Sequence, residues 1–260
     1  MLAALRPLAE HATRAAVLVD FDGSLAPIVE DPDASRPLPA ARDALAALVG
    51  RVGLVAVVSG RPVEFLHDRI GLDGVTYVGQ YGLQRWIDGQ VVTDPRVEPY
   101  LARVEEIASA ATRELPGVRV ERKAGVAVVV HWRQRPELAD QAAAWAAGAA
   151  ARTGLELDPA KMAAELRPPV PVDKGTVVEE LCDGVVAAAY AGDDVGDLAA
   201  FDALDRLQRD GRLHHAVRIV VRSAEEPPEL VARSDVQVDG PAGLATLLAD
   251  LAAQITSAPA

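Results

Sequence analysis

The chain has 260 residues, half of them hydrophobic and a quarter charged, which is enough to bury one large core or two smaller ones. Its 26 Lys and Arg against 38 Asp and Glu give a net charge of -12, which argues against a nucleic-acid partner because phosphate backbones attract a surplus of positive side chains. The single cysteine, Cys182, excludes an intramolecular disulfide.

The amino-terminal stretch has no basic segment ahead of an apolar run, and no apolar run in the sequence is long enough to span a membrane. We therefore expect a cytoplasmic protein with no membrane partner and no nucleic-acid partner. We also expect a monomer rather than an oligomer.

Apolar strand-like runs alternate with helical patterns near the start of the chain. The pattern predicts strands at Ala15–Val19, Gly53–Val58 and Thr76–Gly79, helices at Pro39–Val49 and Arg61–Ile70, and a hairpin around Asp88 and Gly89. Continuous apolar strands that alternate with helices are typical of a parallel sheet covered on both faces.

The order of predicted strands and helices then changes, and the alternation of strand and helix resumes after residue 170. The middle segment predicts helices at Pro99–Leu115 and Glu137–Thr153 and strands at Val118–Arg122, Val126–Arg133, Leu155–Leu157 and Ala163–Arg167. The last segment predicts a helix from Gly175, strands at Val186–Ala191 and Val217–Val221 with a helix between them, and a terminal helix from Pro241. We expect a Rossmann-like α/β core with a mainly parallel sheet from residues 1–96 and 170–260, and an inserted α+β domain at 97–169.

Polar groups follow several core strands or begin the helix after them. They are Asp20 and Asp22, then Ser59 with Gly60 and Arg61, then Lys174, and last Asp193, Asp194 and Asp197. Side chains alternate along a strand, so Asp20 and Asp22 face the same way. Open α/β sheets bind ligands at the carboxyl ends of their strands, where these groups would meet.

Each group alone has a simpler interpretation as a turn, a helix cap or a solvated charge. Together they indicate a site for phosphoryl transfer. Several carboxylates suit Mg²⁺, a hydroxyl and a lysine hold a phosphate, and one carboxylate remains to attack phosphorus.

The ordered motifs Asp20-Phe-Asp22-Gly23-Ser-Leu25, Ser59-Gly60-Arg61, Lys174 and Gly192-Asp193-Asp194-Val-Gly-Asp197 resemble the haloacid dehalogenase superfamily. The resemblance implies that Asp20 is the nucleophile and that Asp22 is the acid and base. It implies Mg²⁺ held by Asp20, the Asp22 carbonyl and Asp193, with Asp194 and Asp197 in support. Ser59 and Lys174 would bind the transferring phosphoryl group, and Gly23, Gly60 and Arg61 would help to bind the substrate.

The inserted segment resembles the cap domain of trehalose-6-phosphate phosphatases in Glu121-Arg-Lys123, Val130-His131-Trp-Arg133 and Glu165-Leu-Arg-Pro168. The resemblance implies that Glu121, Lys123 and Glu165 bind sugar hydroxyls, while His131 and Arg133 shape the cap face. Alternatively, Lys123 is a solvated turn residue, Arg133 and Glu165 form an ion pair on a strand face, and His131 packs the sheet.

Departures from that family's pattern leave the sugar open. Val195-Gly196-Asp197-Leu198 lacks a Thr and a Glu often found there, Tyr81 replaces a frequent His, and Arg122 replaces a frequent Asp. The alternative substrates are other phosphorylated disaccharides, glycosides or aminocyclitols. Receiver domains, which are phospho-acceptor signalling modules, and non-catalytic sugar binding are the rival functions. Two features argue against a receiver domain: Asp22, the proposed acid, follows the nucleophile Asp20 by two residues, and a large domain is inserted in the chain.

Overall fold

The computed structural model describes residues 3–160, 162–223 and 227–255. The chain divides into two compact units, of which one comprises Met1–Val92 and Val172–Ala260 and the other comprises Thr93–Pro171. The first unit has two hydrophobic clusters and the second unit has one.

The strands are β1 (Ala15–Val19), β2 (Leu54–Val58), β3 (Val75–Gly79), β4 (Gln84–Ile87), β5 (Gln90–Thr93), β6 (Arg119–Lys123), β7 (Ala127–His131), β8 (Glu156–Ala160), β9 (Ala163–Arg167), β10 (Ala187–Gly192), β11 (His215–Arg222) and β12 (Val236–Asp239). The helices are α1 (Arg6–Glu10), α2 (Pro39–Leu48), α3 (Val63–Ile70), α4 (Leu101–Glu114), α5 (Ala139–Thr153), α6 (Lys174–Leu181), α7 (Leu198–Arg209), α8 (Pro228–Arg233) and α9 (Gly240–Ile255).

The core unit is built on an eight-stranded sheet in the order β12-β11-β10-β1-β2-β3-β4-β5. The strands from β12 to β3 pair in parallel, and β4 pairs with β3 in the antiparallel direction. Strand β1 lies between β2 and β10, and all five of its residues are buried. The mainly parallel α/β core that the sequence predicts is confirmed.

Helices cover both faces of this sheet, which explains the continuous apolar strands. Val17 and Val19 point into a cluster that includes residues of α2, α3 and α9. Leu18 points the other way, into a cluster that includes residues of α6 and α7. Burial of aliphatic side chains on both faces stabilises the sheet. Its parallel strands then end together at one edge.

The second unit is a four-stranded antiparallel sheet, in the order β6-β7-β9-β8, with α4 and α5 packed on one face. Val128, Val130 and Leu166 are fully buried against these helices. A tight turn at Ala124 and Gly125, both with left-handed backbone angles, joins β6 to β7. The segment 97–169, predicted as the insertion, lies within this unit.

Several predicted bounds differ from the structure. Helix α3 begins at Val63 rather than Arg61, since Pro62 precedes the first turn and the Gln84 side chain accepts from the Val63 N–H at 3.3 Å. Strand β8 runs further along the chain than Leu155–Leu157, and α1, α8 and β12 had not been predicted. None of the helices in the described part of the chain is long and apolar enough to cross a membrane.

Candidate active site

The core unit brings its predicted site residues to the carboxyl edge of the sheet. Asp20 follows β1, and its backbone N–H donates to the Ala191 carbonyl of the next strand at 2.9 Å. Ser59 follows β2 and is fixed in the same way by the Val78 carbonyl at 3.0 Å. Asp193 follows β10, so three neighbouring parallel strands deliver a polar side chain to one edge.

Lys174 enters the site as the first residue of α6. The side chain of Asp173 caps this helix by accepting from the Thr176 N–H at 2.8 Å. Gly175 allows the start of α6 to approach α7, because a Cβ there would lie 2.5 Å from the Ala199 carbonyl oxygen. The cap and the close approach together fix the direction in which the Lys174 side chain leaves the helix.

The Lys174 ammonium is the buried centre of an ion-pair network. Its Nζ lies 3.1 Å from Asp20 Oδ2 and 2.7 Å from Asp197 Oδ1, with only 3% of the lysine side chain exposed. Asp197 Oδ1 also accepts from the Tyr190 hydroxyl at 2.7 Å, and its Oδ2 accepts from the backbone N–H groups of Asp193 and Asp194. Asp197 therefore receives two donors at each oxygen.

Burial and charge perturb the titration of these groups. Burial raises the pKa of Asp20 well above its ordinary value, although the Lys174 ammonium acts in the opposite direction. Burial also raises the pKa of Asp193 to about 7, with the negative charges of Asp197 and Asp194 adding to the effect. Burial acts on Asp197 too, but there the Lys174 ammonium prevails and the pKa is lowered. Strongly shifted groups that cluster at a sheet edge are typical of functional sites.

The same carboxylates fit a hard divalent cation. Asp20, Asp193 and Asp197 each offer a carboxylate oxygen, and these oxygens lie within 4.8 Å of one another. Gly23 provides the space, since a Cβ on this residue would lie 1.9 Å from Asp193 Oδ2. Asp20 and Asp193, whose pKa values are raised in this buried cluster, would be stabilised as carboxylates by a hard divalent cation, which prefers oxygen ligands. The side chain of Asp194 is 64% exposed at the margin.

Asp22 lies beside this cluster in a different environment. Arg61 binds its carboxylate with both arms of the guanidinium group, from Nε to Oδ2 at 2.6 Å and from Nη2 to Oδ1 at 2.9 Å. The Ser35 hydroxyl donates to Asp22 Oδ1 at 2.9 Å. The structure thus places Arg61, which the sequence predicts as a substrate-binding residue, on a neighbouring carboxylate.

The loop of Ser59 and Gly60 is braced by the chain after β3. Gln80 and Tyr81 have left-handed backbone angles, and the Tyr81 N–H donates to the Ser59 carbonyl at 3.0 Å. A Cβ on Gly60 would lie 2.5 Å from the Tyr81 ring. Left-handed angles at two successive non-glycine residues are costly, and packing against this loop maintains them.

In the second unit, four of the predicted cap residues lie on the polar face of the sheet. Glu121 Oε2 lies 2.8 Å from His131 Nε2, and Lys123 Nζ lies 3.0 Å from Glu165 Oε2. The hydrogen bond with His131 lowers the pKa of Glu121. The first pair connects neighbouring strands and the second connects next-neighbouring strands, so the face carries a hydrogen-bonded Glu–His pair beside a Lys–Glu ion pair.

The ion pair expected as the alternative for Arg133 does not form with Glu165, whose partner is Lys123. Arg133 lies two residues beyond the end of β7 and is exposed. The expectation that Lys123 is merely a solvated turn residue is also wrong, since its side chain is 16% exposed.

A family model decides the relationship of the chain to known proteins. The model of the trehalose-phosphatase family matches residues 18–238, a range that includes every predicted site residue of both units. The chain belongs to the trehalose-phosphatase family.

Curated relatives from mycobacteria agree with this membership. The trehalose-phosphate phosphatase of Mycobacterium tuberculosis is 33% identical over 261 residues, and that of Mycobacterium avium is 35% identical over 256 residues. The alignments cover 95% and 92% of this chain but 64% and 62% of the relatives. The chain thus spans less than two thirds of the length of the curated trehalose-phosphatases that it resembles.

Solved structures of the trehalose-phosphatase family share the fold. A trehalose-6-phosphate phosphatase related protein is 25% identical with a TM-score of 0.73, and the match covers 93% of this chain and 99% of that one. The carboxy-terminal domain of the Candida albicans trehalose-6-phosphate phosphatase gives a TM-score of 0.75 at 23% identity, covering 96% of both chains. The core is therefore haloacid dehalogenase-like, as the sequence motifs indicate.

Three polar residues of this candidate site had not been predicted from the sequence. Ser24 donates to Asp193 Oδ1 at 3.1 Å, Ser35 binds Asp22, and Tyr190 binds Asp197. All three residues are buried, and a buried hydroxyl group needs a hydrogen-bond partner. Tyr190 carried the clearest signal, as a polar aromatic residue within an otherwise aliphatic strand next to the aspartate cluster.

Proposed function

We propose that this protein is a Mg²⁺-dependent phosphatase that hydrolyses trehalose 6-phosphate to trehalose and phosphate through a phosphorylated Asp20. The observation that carries the proposal is the buried pair of Asp20 and Lys174, 3.1 Å apart, beside the carboxylate cluster of Asp193 and Asp197. Membership of the trehalose-phosphatase family supports both the reaction and the sugar.

The reaction consists of two displacements at phosphorus. In the first, a carboxylate oxygen of Asp20 bonds to phosphorus while the bond to the sugar oxygen breaks, and Asp22 gives its proton to that leaving oxygen. In the second, a water oxygen bonds to phosphorus while the bond to Asp20 breaks, and the water proton passes to Asp22. Asp20 is then free and phosphate leaves.

The remaining core residues bind and neutralise the phosphoryl group. Lys174 brings a positive charge and Ser59 a hydroxyl donor to the oxygens of the phosphoryl group, with Gly23 and Gly60 allowing close approach of the backbone. Positioning and charge neutralisation are the main demands of phosphoryl transfer. The burial of Lys174 strengthens its electrostatic effect, because little water screens it.

Mg²⁺ would be held by Asp20, by the backbone carbonyl of Asp22 and by Asp193. When bound, it supplies positive charge that neutralises the phosphate oxygens and the clustered carboxylates. Asp194 and Asp197 support this arrangement. Asp197 does so by fixing Lys174 and the backbone of Asp193, since its oxygens already accept four donors.

The polar face of the second sheet supplies the proposed sugar contacts. By resemblance to the family, Glu121, Lys123 and Glu165 hydrogen-bond sugar hydroxyls, and His131 and Arg133 shape the surface around them. The Glu121–His131 and Lys123–Glu165 pairs, 2.8 and 3.0 Å apart, place hydrogen-bond donors and acceptors on one face, and a sugar hydroxyl can bond to both kinds of group.

The proposal is tested by phosphate release from a substrate panel. Trehalose 6-phosphate, sucrose 6-phosphate, glucosylglycerate phosphate and an aminocyclitol phosphate are compared at equal enzyme concentration, with Mg²⁺ and with EDTA. We expect the highest kcat/KM for trehalose 6-phosphate and no turnover in EDTA. Asp20→Asn should abolish release, whereas Asp73→Asn, an exposed aspartate in the turn before β3, should match the wild type.

Each part of the proposal has its own contrary result. Residual turnover by Asp20→Asn near the wild-type rate would exclude the phosphorylated intermediate. Undiminished activity in EDTA would exclude the cation. A higher kcat/KM for another sugar phosphate would replace the substrate and leave the chemistry in place, and stable phosphorylation without turnover would indicate a receiver-like function.

A further inference from the structure

The carboxylate of Asp22 is held by three side-chain hydrogen bonds, although it is one third exposed. Two come from the guanidinium group of Arg61, at 2.6 and 2.9 Å, and one from the hydroxyl of Ser35, at 2.9 Å. The side chain of Asp22 is 35% exposed, so without these donors water would compete for it and several rotamers would be open to it. A bidentate arginine fixes the plane of a carboxylate as well as its position.

Arg61 is itself held in place at both ends. Its backbone N–H donates to Ser59 Oγ at 3.3 Å, and its carbonyl accepts from the Gln80 N–H at 2.9 Å. Its guanidinium carbon lies 4.8 Å from the centroid of the Phe65 ring, within the range of a cation–π contact. Ser35 is fully buried. The two residues that donate hydrogen bonds to Asp22 are therefore both held in place, Arg61 by its own contacts and Ser35 by burial.

Both proton transfers of the proposed reaction depend on where this carboxylate lies. Proton transfer requires Asp22 within hydrogen-bond reach of the sugar oxygen in the first displacement and of the water in the second. Displacement by about 1 Å from such a position costs on the order of a hundredfold in rate.

We propose that Arg61 and Ser35 are positioning residues that hold the Asp22 carboxylate for proton transfer, and that Arg61 does not serve as a ligand of the substrate phosphate. The inference rests on the proposed function, and it replaces the substrate-binding role that the sequence predicts for Arg61. It requires the effect of Arg61 to be exerted through Asp22.

A comparison of two substrates separates the two roles. Arg61→Gln and Arg61→Lys are assayed on trehalose 6-phosphate, whose alkoxide needs a proton to leave, and on p-nitrophenyl phosphate, whose phenolate does not. For a positioning role we expect kcat on the sugar phosphate to fall about a hundredfold while KM changes little. Lysine should not restore kcat, because an ammonium lacks the planar fork with which a guanidinium group fixes the orientation of a carboxylate.

The aryl substrate also reports the second displacement. Because p-nitrophenolate leaves unaided, the variants should still phosphorylate Asp20 and release one p-nitrophenolate per enzyme in a rapid burst, followed by slow turnover. A phosphate-binding role predicts instead that KM rises by a similar factor for both substrates, that inorganic phosphate inhibits less, and that lysine partly restores activity. That pattern would overturn the inference.

A double-mutant cycle with Asp22→Asn provides the second test. If Arg61 acts through Asp22, adding Arg61→Gln to Asp22→Asn should lower kcat no further. Additive losses would contradict the inference. Ser35→Ala, which removes one donor and retains the arginine, should give a smaller loss in the same direction, and it decides the question if the Arg61 variants fail to fold.

Arg69→Gln is the matched control. The Arg69 guanidinium lies 4.7 Å from the same Phe65 ring, and it donates to the Asp33 carbonyl rather than to Asp22. This variant should retain wild-type kcat on both substrates. If the wild type hydrolyses p-nitrophenyl phosphate and another sugar phosphate but not trehalose 6-phosphate, the substrate assignment fails, while the same comparison on the active sugar phosphate still decides the role of Arg61.

Discussion

Gly23 is the residue at which backbone conformation and the candidate metal site meet. Its φ of +77° is left-handed, and the space where a Cβ would lie is occupied by the carboxylate of Asp193. Gly50 has nearly the same φ, +74°, but no atom lies within 4 Å of its Cβ position. The two glycines thus share a backbone cost on substitution and differ only in what the new methyl group would meet.

We therefore predict different outcomes for Gly23→Ala and Gly50→Ala. Gly50→Ala should lower the free energy of unfolding by about 1–2 kcal/mol, since alanine is disfavoured in the left-handed region, and Gly23→Ala should lower it further because its Cβ overlaps the Asp193 carboxylate. Only Gly23→Ala should weaken Mg²⁺ binding, by about 10–100-fold, because it displaces Asp193. Urea unfolding and calorimetric titration with Mg²⁺ measure the two effects. Equal Mg²⁺ affinity in both variants would show that Asp193 is not a ligand.

For individual residues, the sequence predicts which side chains lie close together in the candidate site, but it does not predict which of them form hydrogen bonds or ion pairs with each other. Asp20, Ser59 and Asp193 were predictable because they end parallel strands, whose carboxyl ends meet at one edge. The pairing of Arg61 with Asp22 was not, because the long arginine side chain reaches many positions and its partner Asp22 lies 39 residues earlier in the chain. The pairing of Lys123 with Glu165 depends in the same way on a strand register that only the folded sheet defines.

Helix α6 is the element that carries Lys174, the lysine proposed to bind phosphate, and its start determines where Lys174 lies. Asp173 and Thr176 form a capping box in which each side chain bonds to the other's backbone N–H. Because Lys174 is the first residue of the helix, any fraying of this turn moves the ammonium away from Asp20.

We predict that Asp173→Ala lowers the free energy of unfolding by about 1 kcal/mol through loss of the cap. It should also lower kcat, although Asp173 itself is exposed and takes no part in the proposed reaction. Asp173→Ser retains a side-chain oxygen at the capping position and should restore both values. Unfolding curves and steady-state kinetics on trehalose 6-phosphate test this, and a normal kcat in the alanine variant would refute the link.

Among the elements, the long apolar strands and amphipathic helices were predictable and the short or edge elements were not. Strand β12 has four residues, of which one is buried, so no apolar run marks it. The start of α3 depends on the Gln84 side chain, which comes from a strand on the far side of β3 and cannot be inferred from local sequence.

For the whole molecule, the candidate metal site belongs to the core unit, and the polar sheet face of Glu121 and Lys123 belongs to the second unit. Within the described part of the chain, the group of acidic side chains that could hold a metal ion consists of Asp20, Asp193 and Asp197, all in the core unit. A cation that binds there stabilises the folded core by mass action and slows local opening around its ligands.

We predict a matching pattern in hydrogen exchange measured by mass spectrometry. Mg²⁺ alone should slow exchange in peptides that cover residues 20–26 and 190–198 and leave residues 97–169 unchanged. Asp193→Asn should remove the slowing. Protection that appears first in the 97–169 peptides would place the cation outside the aspartate cluster.

The position of β1 in the sheet has a consequence for synthesis of the chain. Its partner β2 follows within forty residues or so, but Ala15 pairs with Ala187 of β10, which the ribosome adds 172 residues later. Asp20 therefore emerges long before Lys174 and Asp193, with the whole second unit translated in between. One edge of β1 stays unpaired during that interval, which makes the nascent first segment a natural client for chaperones.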